Sequence, residues 1–70
     1  MIKTYTITRH DGETTKIYIE DNDLHKAYAT LKEFMMDVFC ANWFKTVKHN
    51  GAFYDCFVSV EPEATYTVKL

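Results

Sequence analysis

The sequence predicts an α+β domain in which one long helix packs on an antiparallel sheet of two hairpins and a C-terminal strand, in the order ββαβββ. Three observations predict it. Residues alternate in polarity on either side of Asp11-Gly12, the stretch from Asp21 to Ala41 has a helical period with no Gly or Pro, and Asn50-Gly51 separates two strand-like runs.

In the first strand, Met1, Lys3, Tyr5, Ile7 and Arg9 share one face, and Ile2, Thr4, Thr6 and Thr8 share the other. Glu13 to Glu20 repeats the alternation, with Thr15, Ile17 and Ile19 opposed to Thr14, Lys16, Tyr18 and Glu20. A two-residue loop would scatter the apolar side chains over both faces. A three-residue His10-Asp11-Gly12 loop, with Gly12 left-handed, instead pairs Arg9 with Glu13, Ile7 with Thr15 and Tyr5 with Ile17, so one face becomes apolar and the other threonine-rich.

Asp21-Asn22-Asp23 offers capping oxygens and negative charge to the start of a helix of about twenty residues. At 100° per residue, Leu24, Ala27, Tyr28, Leu31, Phe34, Met35, Val38 and Phe39 crowd the sheet-facing side, while Lys26, Thr30, Glu33 and Asp37 lie opposite. Met36 and Cys40 add apolar character to the flank of the last turns.

The second hairpin runs from Trp43 to Val60 and is apolar on both faces. A three-residue His49-Asn50-Gly51 loop pairs Lys45 with Asp55, placing Trp43, Phe53 and Phe57 on one face and Phe44 and Tyr54 on the other. Glu61-Pro62-Glu63 reads as a turn, after which Ala64, Tyr66, Val68 and Leu70 alternate with Thr65, Thr67 and Lys69 in the last strand.

Residues 1–70 read as a single domain, with no Gly/Ser/Pro linker. A chain this short buries only about 60% of its unfolded surface, yet 47% of its residues are hydrophobic and eleven are aromatic, so some aromatic surface is expected outside. A net charge of -2 supplies no basic excess for phosphate backbones, which ranks nucleic acid below protein as a partner. Two cysteines make no disulfide scaffold, no secretory leader pattern opens the chain, and no apolar run approaches the length of a membrane span. The expected setting is cytoplasmic, with no membrane partner.

Catalytic and cofactor chemistry finds no pattern to rest on. His10, His25, His49, Cys40 and Cys56 lack zinc-ligand spacing, Cys56 alternates with core-type neighbours, and both glycines serve turns rather than a phosphate loop. Glu33 and Asp37 lie on a solvated helix face, where nothing separates two carboxyl pKa values for acid/base work. The expectation is a protein that is not an enzyme and carries no metal or other cofactor.

The surplus aromatics point instead to binding. Trp43, Phe53 and Phe57, with Met36 and Cys40 on the helix flank, are the apolar contact candidates, and Glu33 and Asp37 candidates for the polar rim. Arg9-His10-Asp11-Gly12 and Lys48-His49-Asn50-Gly51 echo each other; shared turn chemistry accounts for the echo, and the alternative is a set of basic tips, Arg9, His10, Lys48 and His49, for an acidic or phosphorylated partner, which needs both tips on one side of the fold. The partner is expected to be another protein, or a second copy in a structural homodimer. An alternative stacks single-stranded nucleic acid on the sheet aromatics beside Lys45, Lys48, Arg9 and Lys16. A further reading is acidic mimicry by Asp21, Asp23, Glu33, Asp37, Glu61 and Glu63. In size and composition the chain resembles phage-encoded inhibitors of host defence, including anti-CRISPR proteins. That resemblance implies occlusion or mimicry of a host protein complex and carries over no individual residue.

Overall fold

Turn chemistry sets the registers from which the sheet is built. A computed structural model describes residues 2–70, so Met1, read above as part of the first strand, lies outside the described residues. The elements are β1 (Ile2–Arg9), β2 (Thr14–Glu20), α1 (Leu24–Phe39), β3 (Ala41–His49), β4 (Ala52–Val60) and β5 (Glu63–Lys69). The α+β class and the ββαβββ order are those the sequence predicts.

In the first hairpin Ile7 pairs with Thr15 and Tyr5 with Ile17, the register of the three-residue loop. Gly12 has φ +93°, and the Arg9 amide donates to the Glu13 carbonyl at 2.8 Å. The second hairpin departs from expectation. Asn50 and Gly51 both have positive φ, 51° and 79°, which suits a two-residue turn whose twist matches the strands, and His49 therefore pairs with Ala52. Thr46, rather than Lys45, stands opposite Asp55, and Lys45 stands opposite Cys56. A β-bulge between Trp43 and Lys45 inserts Phe44 as an extra residue and resets the phase, so that Trp43 pairs with Phe57 and shares its face.

All strand pairs are antiparallel, and the sheet order is β2-β1-β5-β4-β3. The last strand fills the centre, with Ile7 beside Val68 and Tyr66 beside Phe57. The helix connects β2 at one edge to β3 at the other, which leaves both edge strands open on one side.

Helix α1 is shorter than expected. Asp23 caps its start, its Oδ1 accepting from the His25 amide at 2.9 Å, but the helix stops after 16 residues because Cys40 turns left-handed at φ 53°. The Cys40 amide returns to the Met36 carbonyl at 3.0 Å, and Ala41 already belongs to β3. Beneath the helix, Ala27, Leu31 and Met35 are buried in the same layer as Tyr5, Ile7, Ala41, Phe57, Ala64, Tyr66 and Val68. Burial of side chains such as Leu31, Met35 and Phe57 contributes about 1.5–3 kcal/mol each, so this one layer carries the fold. Phe39 closes its end, with its ring centroid 4.7 Å from that of Tyr66.

Among the described residues no helix lies on the opposite sheet face. Along its middle run Thr4, Thr6, Thr8, Thr65 and Thr67, with Tyr54 and Val58 half-buried and Cys56 buried beside them.

Candidate interaction surface

The helix leaves large aromatic side chains of β3 and of the start of β4 in solvent. Trp43 is 48% exposed, Phe44 57% and Phe53 53%. Trp43 and Phe53 lie on the helix-bearing face, the grouping the sequence predicts, although the bulge rather than plain alternation puts Trp43 there; Phe57, grouped with them, is 0% exposed. Phe57 is therefore a core residue beneath α1 and no contact candidate: one strand inward, the helix covers what it leaves bare at the edge.

Lysines stand over these rings. Lys32 Nζ lies 4.5 Å from the Tyr28 ring centroid and 5.7 Å from that of Trp43, which joins the helix flank to β3. Lys45 Nζ lies 5.5 Å from the Phe44 ring, and Lys48 Nζ 5.6 Å from the Phe53 ring. Each pair places a cation over an electron-rich face that water also reaches, an arrangement worth about 0.5–1 kcal/mol at exposed sites. Met36, 42% exposed, is the apolar member on the helix flank, and Cys40 is exposed at the helix end.

A buried carboxylate holds this margin in place. Asp55 on β4 is fully buried, accepting from the Tyr28 hydroxyl on the helix and from Thr46 Oγ1 on β3 at 2.5 Å. Among the described residues the only ion pairs are those of Arg9, so Asp55 is held by hydroxyls and not by a cation. Burial, followed by the Asp55 hydrogen bond and charge, pushes the Tyr28 phenol well above its usual range. Burial and then Asp55 raise Tyr5 as well. Sequence reasoning missed this network. Its one signal was a lone acid within the apolar run Phe53-Tyr54-Asp55-Cys56-Phe57, read there as the partner of Lys45.

The other candidates are dispersed. The two basic tips lie at opposite ends of the sheet, because Arg9 is level with Tyr66 and Phe57 whereas the Asn50-Gly51 turn opens β4 at its other end. That separation is about seven strand residues, on the order of 20 Å, and it defeats the joint grip that two tips on one side would give. Arg9 is also engaged, with Nε 2.9 Å from Asp11 Oδ1 and Nη2 donating to both Asp11 and Glu13. His10 binds β5, its amide donating to the Thr65 carbonyl at 2.9 Å and its Nδ1 accepting from the Thr65 amide at 3.2 Å. His49 sits edge-on to Tyr54 with ring centroids 6.5 Å apart, so at this end only Lys48 adjoins the aromatic margin. Glu33 and Asp37 are exposed on the outer side of α1.

A shallow groove of about 270 Å³ opens beside the helix start, lined by Lys3, Tyr5, Leu24, His25, Tyr28 and Leu70. Tyr28, which lines it, also belongs to the Asp55 network. No group of three or more His, Cys, Asp or Glu among the described residues is arranged to hold a metal ion, and no described helix is long and apolar enough to cross a membrane. Compared with protein-family models, with curated proteins and with solved structures, the chain matches none of them.

Proposed function

We propose that the chain is a non-enzymatic protein-binding module whose recognition surface is the margin between α1 and the edge strand β3. The observation that carries this reading is that Trp43 and Phe44 on β3 and Phe53 on β4 are all about half exposed, with Lys32, Lys45 and Lys48 over aromatic rings. Large rigid rings bring contact area at low entropic cost, and a small domain gains nothing in stability from leaving them wet. The contact set is Trp43, Phe53 and Met36, rimmed by lysines; Cys40, at the helix end, lies at its border.

The reading favours occlusion of a partner's surface over acidic mimicry. Asp21 and Asp23 serve the helix start, Glu33 and Asp37 project from the back of the helix, and Glu61 and Glu63 flank the turn between β4 and β5, so these acids are spread over three parts of the fold. A phage-type inhibitor of a host complex, the format the chain resembles in size, would act through an apolar and basic margin of this kind. The test compares wild type with Trp43→Ala and Phe53→Ala in capture from a host extract and in sedimentation of the free protein. Loss of capture or of self-association with an unchanged circular dichroism spectrum supports the reading, and unchanged behaviour of both variants refutes it.

The three lysine-ring pairs favour one second reading, stacking of single-stranded nucleic acid. Binding of oligothymidylate that weakens steeply with salt and is lost in Trp43→Ala would put it first.

A further inference from the structure

We infer that the free edge of β3 accepts an acidic, extended segment of a partner protein as a sixth strand. This inference rests on the protein-binding reading above and names the chemistry of the partner. β3 ends the sheet, so its outer backbone amides and carbonyls face no strand among the described residues. The bulge at Phe44 interrupts the ladder, but from Lys45 to His49 the strand pairs regularly with β4 and offers an unbroken length for a further strand.

Charge selects the occupant. β3 reads Ala41-Asn42-Trp43-Phe44-Lys45-Thr46-Val47-Lys48-His49, with two lysines, a histidine and no acid, and Lys32 of α1 stands beside Trp43. The one acid of β4, Asp55, is buried and turned inward to Tyr28 and Thr46. A chain of net charge -2 thus carries a local cationic edge. A second copy is a poor occupant, because antiparallel self-pairing about the middle of the strand sets Lys45 opposite its own copy, and pairing about Val47 sets Lys48 diagonal to its own copy. The other edge, β2, reads Thr14-Thr15-Lys16-Ile17-Tyr18-Ile19-Glu20 and shows no such bias.

Geometry divides the incoming side chains. Side chains of the added strand on the open side of the sheet meet Lys45 and His49, and those on the helix side meet Thr46 and Lys48, with Trp43 and Lys32 beyond the bulge. Main-chain bonds supply a ladder that a nucleic acid cannot match. A peptide is for that reason the better complement to this edge.

The test uses a blocked peptide alternating valine and glutamate, the same peptide with alternate backbone amides methylated, a valine-lysine counterpart and oligothymidylate, each titrated into the labelled chain by NMR. The valine-glutamate peptide is expected to shift the amides of Lys45 to His49 and slow their hydrogen exchange, and to bind about tenfold more weakly to Lys45→Glu/Lys48→Glu. The methylated and lysine peptides are expected to leave those amides unmoved. Lys45→Ala/Lys48→Ala, with a smaller loss, keeps the comparison usable if the glutamate variant fails to fold. Equal binding of the methylated peptide, shifts that map elsewhere, or oligothymidylate competing for the same amides at lower concentration overturns the inference. If Trp43→Ala and Phe53→Ala abolish partner capture while the peptide leaves β3 unmoved, the aromatic surface stands and the added strand falls. If capture survives those substitutions and no peptide binds, both fall.

Discussion

The Tyr28 hydroxyl on α1 donates to the buried Asp55 carboxylate on β4, tying the helix to the sheet next to the exposed edge. Thr46 on β3 donates to the same carboxylate at 2.5 Å, so one buried acid joins three elements. Tyr28→Phe leaves Asp55 with a single hydroxyl donor in a site closed to water, and is expected to lower the unfolding free energy by about 1–3 kcal/mol. Urea denaturation measures it. A loss no larger than that of an exposed control substitution would show that the bond contributes nothing net.

Stability at alkaline pH is expected to follow the phenols of Tyr28 and Tyr5. Tyr28 and Tyr5 both have phenols raised above the ordinary 10.0, so the folded chain holds protons that the unfolded chain releases. Their contribution is complete below pH 10 and declines as pH rises from there toward the folded-state values. Unfolding midpoints between pH 8 and 11 should therefore fall above pH 10, and fall less steeply in Tyr28→Phe.

At the first turn the sign is opposite. The Arg9 hydrogen bond, then the Glu13 amide, hold the Asp11 carboxyl well below its ordinary 3.8, although the cluster is open to solvent. Its contribution is present above pH 3.8 and is lost as pH falls below that value. NMR titration of the Asp11 carboxyl carbon should show the depression, Arg9→Gln should return it toward 3.8, and added salt should weaken it.

Phe57 and Phe53 share a strand and a face but not an environment, since one is 0% and the other 53% exposed. Phe57→Ala is expected to cost about 3–5 kcal/mol, enough to unfold much of so small a domain, and Phe53→Ala less than about 1 kcal/mol. Thermal melts of the two variants give the comparison.

The second turn offers a test of backbone conformation free of packing. Gly51 has φ +79°, and a Cβ there would meet nothing within 4 Å, so Gly51→Ala carries only the cost of a left-handed residue, about 1 kcal/mol. Equal urea midpoints for variant and wild type would contradict the assigned turn.

The sequence by itself determined the elements, because the signals behind them are local. Alternation around Asp11-Gly12 specified β1, β2 and their register, helical period and capping specified α1 to within its last turn, and Pro62 with the closing alternation marked β5. Tertiary structure decided what no local signal encodes. Asn50-Gly51 took the tighter turn, and the bulge at Phe44 then brought Trp43 back onto the face of Phe57. β5 entered the centre of the sheet between β1 and β4, which sent the two basic tips to opposite ends and left β3 as an edge. Whether an aromatic became core or surface depended on where one helix, too narrow to cover five strands, came to lie. Phe57 fell beneath it and Trp43 beside it, and Asp55, a single acid in an apolar strand, acquired a structural role once Tyr28 and Thr46 converged on it.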